Sequence, residues 1–208
     1  MAQGVDVDQR LMARAIELAR SGMGAVAPNP LVGAVLARDG QILSEGYHAV
    51  YGGAHAERAA LDRARQNGID TQGATLYVTL EPCNHQGKTP PCTEAILEAK
   101  LARVVVAGLD PNPQMSGQSV ELLRQAGIDV EVGLLREEAE RMNRRYITYR
   151  TRRRPYVVLK WAQTLDGYID AERAPGGLPV WITNQHAQTL VHKWRSEEGA
   201  LMVGTNTR

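Results

Sequence analysis

The sequence has no phenylalanine, and only two cysteines among its 208 residues. Aromatic residues make up 5% of the chain, and the formal net charge is +1. A nucleic-acid binder wants a basic face and aromatic platforms for stacking bases. Neither composition supplies them, and a charge this small gives no bulk attraction to an anionic membrane. No apolar run approaches the ~18 residues that a membrane span needs. The opening Met1-Ala2-Gln3-Gly4-Val5-Asp6 lacks the basic region followed by an apolar one that marks a secretory leader. We therefore expect a cytoplasmic protein with neither membrane nor nucleic acid as partner. Internal repeats and low-complexity tracts are missing, and so is G-x-G-x-x-G, which rules out a Rossmann-type cofactor loop. In a reducing cytosol, Cys83 and Cys92 point to metal binding or catalysis rather than to a disulfide.

What is present suits one full domain followed by part of another. Hydrophobic residues, at 43%, suffice for a core. Leu11, Ala15 and Leu18 fall on one face of a helix over 6–22. Residues 31–37 and 41–48 read as strands joined by a turn at Arg38-Asp39-Gly40, where Gly supplies positive φ. Helices follow at 55–67, 93–100, 118–126 and 136–150, and strands at 75–80, 103–108 and 129–132. Strands alternating with helices predict an α/β sheet sandwiched between helices. Seven arginines lie between Arg141 and Arg154. They read chiefly as a solvated helix face and linker, with a phosphate or partner contact as the other reading. Tyr156–Lys160 starts a new β pattern, so a domain boundary is placed near 150, giving domains 1–150 and 151–208.

The chemistry concentrates in two segments. One is His55-Ala56-Glu57. The other is Pro82-Cys83-Asn84-His85-Gln86-Gly87-Lys88-Thr89-Pro90-Pro91-Cys92. They offer an imidazole, two thiols and a carboxylate that need not be a ligand. That is the kit for a catalytic zinc: three protein ligands, a fourth position for water, and a Glu to move protons. On a regular helix His55 and Glu57 point roughly 200° apart at ~3.6 residues per turn, so they can converge only over the helix end. Cys92 opens a helix after two prolines, and Cys83 ends the strand before it. His85 lies between the cysteines and competes for the metal on proximity. As a fourth ligand it would close the site into a structural knuckle. His55 is preferred because Glu57 gives it a mechanism.

H-x-E followed by P-C-x-x-C is the zinc deaminase pattern. Here eight residues, not two, separate the cysteines. Pro28-Asn29-Pro30, Gly46-Tyr47-His48, the segments above and Asp110-Pro111-Asn112-Pro113 together resemble the bifunctional riboflavin-biosynthesis deaminase/reductase, whose own feature is the long cysteine spacing. The resemblance implies a cytidine-deaminase-like three-layer αβα sandwich. It places zinc on His55, Cys83 and Cys92, a proton shuttle on Glu57, and a phosphoribosylaminopyrimidine substrate on Asn29, His48, Lys88, Asp110 and Asn112. Lys160-x-Ala162-x-Thr164-Leu165-Asp166-Gly167, Trp181-Ile182-Thr183, His192-x-x-Arg195 and Val203-Gly204-Thr205-x-Thr207 resemble the opening of that family's dihydrofolate-reductase-like domain. By resemblance Ala162, Trp181 and Thr207 would touch NADPH, and Pro179 and Arg195 the second substrate. The family's reductase runs well past residue 208, so a competent deaminase with an incomplete reductase is expected, in a homo-oligomer. Two other readings stay open: a nucleic-acid or nucleoside deaminase, and a zinc-stapled scaffold without catalysis.

Overall fold

The computed structural model describes residues 2–87, 90–113, 115–172, 177–178 and 180–205, with side chains from residue 6 onward. The chain divides into two compact units, Met1–Tyr156 and Val157–Arg208. In the first, α1 (Ala2–Arg20) precedes the hairpin β1 (Gly33–Arg38) and β2 (Gln41–Tyr47). Then come α2 (Ala56–Gln66), β3 (Thr75–Val78), α3 (Cys92–Glu98), β4 (Arg103–Val106), α4 (Gln118–Gln125), β5 (Asp129–Val132), α5 (Arg136–Met142) and α6 (Arg144–Arg152). The second unit contains α7 (Gln185–Glu197).

The five strands form one sheet in the order β2-β1-β3-β4-β5. β1 runs antiparallel to both β2 and β3, whereas β3, β4 and β5 are parallel. The hairpin closes through Asp39 (φ 52°) and Gly40 (φ 77°), two residues of positive φ as a tight turn between twisted strands demands. The parallel pairs need crossovers, and α3 and α4 supply them.

Side chains alternate across the pleat, so each inner strand feeds two cores. Ala34, Leu36, Leu76, Val78, Val104 and Val106 face one cluster with residues of α2, α3 and α4. Val35, Ala37, Tyr77, Val105 and Ala107 face the other with Leu11, Met12, Ala15 and Ile16 of α1 and Ala139 of α5. The result is the expected three-layer sandwich. Both faces are buried, which explains why β4 reads as an unbroken Val run. Two glycines let helices ride directly on strands. A Cβ at Gly33 would lie closer than 3.0 Å to backbone atoms of Ala15 and Ala19, and one at Gly46 would do the same with Ala56 and Ala60.

Two expectations need correction. The helix over 136–150 is broken at Asn143, which leaves helical geometry (φ −93°, ψ 16°) between α5 and α6. The cause is tertiary. The buried Asn143 side chain accepts from Leu31 N and donates to Leu31 O, both at 2.8 Å. The strand pattern at 156–160 yields no strand. A strand needs a neighbour to bond to, and among the described residues no backbone hydrogen bond reaches 156–160. No helix of the described residues is long and apolar enough to cross a membrane.

Candidate metal centre and active-site cleft

The site gathers where strand ends meet. β3 and β4 are parallel, so their C-terminal extensions emerge on one side of the sheet, carrying Cys83 and Asp110. β1 runs the other way, and its register with β2 pairs Gly33 with Tyr47. The loop before β1, with Asn29, and the segment after β2, with His48, therefore arrive at the same edge. That is the crevice where α/β sheets place ligands.

α2 begins at this edge. His55 is its N-cap, in extended conformation (φ −71°, ψ 160°), while Glu57 sits in the first turn and is 3% exposed. The extended cap removes the 200° obstacle, because His55 lies just outside the helix. Cys92 is the first residue of α3. Its N–H donates to Cys83 Sγ at 3.3 Å, and Thr93 N donates to Cys83 O. His55 Nδ1 stands 3.4 Å from each sulfur, and the three ligand atoms lie within 4.8 Å of one another. A nitrogen at ~2.0–2.1 Å and a sulfur at ~2.3 Å from one tetrahedral zinc stand about 3.6 Å apart, so the spacing fits that ion. His85 lines the cleft and is not in the cluster.

The electrostatics fit a cation as well. Hydrogen bonding to the Cys92 side chain, opposed by burial and aided by His55 and the Cys92 N–H, holds the Cys83 thiol at about 4. Cys92 is driven the opposite way by Cys83, by burial and by Glu57. One proton shared between two sulfurs leaves a single thiolate, and a second thiolate beside it calls for a positive ion. His55 is raised, first by its bond to Cys83. Glu57 is pushed up to about 7 by burial and by the Cys83 charge.

The cleft above the cluster has a volume near 480 Å³. Asn29, His48, Asp110 and Asn112 all line it. His48 Nδ1 lies 2.9 Å from Ala54 O, so Nδ1 carries the proton. Nε2 then accepts from Asn29 Nδ2 at 3.0 Å, which turns the Asn29 carbonyl away from the imidazole. Asp110 Oδ1 accepts from Asn112 N, so the two share one loop. Lys88, Pro179 and Thr207 lie outside the described residues. Ala162, Trp181 and Arg195 belong to the second unit, with Trp181 74% exposed and Arg195 near the end of α7.

Sequence reasoning missed part of the wall. Tyr51, Tyr146, Tyr149 and Arg150 also line the cleft. The Arg150 guanidinium lies 5.7 Å from the Tyr146 ring centre. Tyr146 is raised by burial and then by the Asp110 charge, which places that carboxylate nearby. The only sequence signal for them is the arginine run, whose chief reading is a solvated face.

Residues 5–108 match the family model of the cytidine and deoxycytidylate deaminase zinc-binding region. The chain belongs to this family. Within it, the resemblance to the riboflavin-biosynthesis deaminase/reductase is borne out. Residues 155–208 match the RibD C-terminal domain. The riboflavin biosynthesis protein RibD of Aquifex aeolicus is 50% identical over 202 residues, covering 97% of this chain and 55% of that protein. The solved diaminohydroxyphosphoribosylaminopyrimidine deaminase/5-amino-6-(5-phosphoribosylamino)uracil reductase of Thermotoga maritima superposes with a TM-score of 0.86 at 49% identity, over 92% of this chain and 54% of that one. RibD of Acinetobacter baumannii gives 0.85 at 44% identity, over 94% and 53%. This member of the deaminase family thus spans about half the length of the relatives it matches.

Proposed function

We propose that residues 1–150 form a zinc-dependent deaminase of riboflavin biosynthesis. It converts 2,5-diamino-6-(5-phosphoribosylamino)pyrimidin-4(3H)-one and water to 5-amino-6-(5-phosphoribosylamino)uracil and ammonia. Residues 151–208 are the N-terminal part of an NADPH-dependent reductase domain, to which Ala162, Trp181, Thr207, Pro179 and Arg195 contribute. One observation carries the deaminase reading: a His-Cys-Cys cluster with a buried Glu beside it, set in a cleft lined by Asn29, His48, Asp110 and Asn112. The names of the relatives support the substrate.

His55, Cys83 and Cys92 hold the metal. Bound zinc supplies a Lewis acid that makes a water nucleophilic near neutral pH. Glu57 takes one proton from the attacking water and delivers it to the ring nitrogen, then takes the remaining hydroxyl proton and delivers it to the departing amine. The C2–N bond to the exocyclic amine breaks, a C2=O bond forms, and ammonia leaves. Asn29, held by His48, and Asp110 with Asn112 orient the pyrimidine by hydrogen bonds. Among the described residues lining the cleft, Arg150 is the one arginine or lysine, and we assign it to the phosphate together with Lys88.

Ammonia release from the diaminopyrimidine phosphate tests the reaction, and no release from zinc-loaded protein overturns it. Arg150→Gln should raise KM about tenfold or more for the phosphorylated substrate, the worth of one charge-assisted hydrogen bond. The dephosphorylated analogue should be turned over as by wild type. The ligand set has its own readout. A chelator should expose both cysteines to alkylation, and added zinc should protect them. Thiols that react equally with and without zinc would count against Cys83 and Cys92.

A further inference from the structure

Glu81 lies three residues past β3 and two before Cys83. It is 7% exposed. Among the described residues no arginine, lysine or histidine pairs with it. Its carboxylate is instead held by backbone N–H groups alone. Asp110 N donates to Oε2 at 3.0 Å, Gly117 N to Oε2 at 2.9 Å, and Ser119 N to Oε1 at 3.0 Å. Glu81 N in turn donates to Gly108 O at 2.8 Å.

These four bonds bracket one loop. It leaves β4 at Ala107, presents Asp110 and Asn112 to the cleft, and returns at Gly117, the left-handed N-cap of α4. Inside, Asn112 N bonds Asp110 Oδ1, and Met115 N and Ser116 N both bond Asn112 O. The two ends of the loop are drawn to one side chain, and that side chain sits on the same segment as Cys83. Three converging N–H donors are met by two acceptor oxygens, and a carboxylate is the side-chain group that offers two oxygens and no N–H. Gln would turn an NH2 toward at least one N–H.

We propose that Glu81 is a positioning residue: it fixes the Asp110–Asn112 loop at a set distance from the His55-Cys83-Cys92 cluster, and so sets how the pyrimidine lies over the reacting centre. This rests on the deaminase reading. Glu81 itself touches neither metal nor proton path; it acts through the loop.

The test uses the full chain, with Glu81→Gln and Glu81→Asp. The Asp variant keeps the charge but withdraws the oxygens by about 1.5 Å. Amide hydrogen exchange at Asp110, Gly117 and Ser119 should quicken about tenfold or more in Glu81→Gln, with zinc content unchanged. KM for the diaminopyrimidine phosphate should rise about tenfold or more, with kcat within about threefold, because binding geometry rather than proton transfer is lost. Glu81→Asp should fall between wild type and Gln, and it carries the same measurements if the Gln variant does not fold. In an Asn112→Ala background, Glu81→Gln should add less than about threefold, since both act through one loop. Unchanged exchange at the three amides overturns the proposal, and so do losses that multiply in the double variant. If wild type releases no ammonia, the deaminase reading falls, and the exchange alone decides whether Glu81 holds the loop.

Discussion

Glu57→Gln should nearly abolish turnover while zinc stays bound. The amide keeps the size and leaves His55, Cys83 and Cys92 untouched, but it neither takes nor gives the proton. Losing a positioned acid/base group costs about 10²–10⁴ in rate, or about 3–5 kcal/mol of barrier. The measurement is kcat beside zinc per chain. A variant with one zinc and a kcat within about threefold of wild type would take Glu57 out of the proton path. The same substitution carries a second, opposite signature. Glu57 is held above its ordinary 4.5, at about 7, first by burial. A raised carboxyl binds its proton more tightly folded than unfolded, so it costs stability as pH climbs from 4.5 towards 7 and beyond. Metal-free Glu57→Gln should therefore melt higher than metal-free wild type at pH 8. The gap should close below 4.5. A group kept for chemistry is kept at the expense of the fold.

Gly46→Ala should be among the most damaging changes outside the cluster. The new methyl would meet Ala56 O and Ala60 N, backbone atoms that no rotamer can move. Overpacking of this kind costs about 3 kcal/mol or more, a drop of about 10 °C in a chain of this size. The effect should not stop at stability. α2 would be pushed off β2, and its first turn carries Glu57, with His55 as its cap. Zinc affinity and kcat should fall together. Gly68→Ala is the control. Gly68 has φ 67° and nothing within 4 Å of its missing Cβ, so it should cost about 1–2 kcal/mol through backbone strain alone and leave zinc in place. Equal losses of zinc at the two positions would show that α2 is not set by contact at Gly46.

The sequence by itself determined the ligand chemistry and the layers. His55, Glu57, Cys83 and Cys92 were legible because a metal needs particular donor atoms, and few residue types carry them. The sandwich was legible because a sheet covered on both faces writes apolar runs such as Val104-Val105-Val106. Asp39-Gly40 marked a turn because few residue pairs tolerate positive φ twice. The tertiary structure decided the rest. Strand order and direction are not periodic properties, so nothing local says that β1 runs against β3 while β4 runs with it. Yet that arrangement brings Asn29, His48, Cys83 and Asp110 to one edge. Asn143 is an unremarkable residue inside an amphipathic stretch until Leu31 arrives 112 positions away in sequence and takes both its hydrogen bonds. The helix then breaks, and α6 brings Tyr146 and Arg150 to the cleft. Glu81 reads as one more charge in a loop until three N–H groups converge on it. Short-range preference fixes which groups a segment can offer. Only long-range packing fixes what they meet, because burial makes an unpaired polar group costly and a paired one decisive.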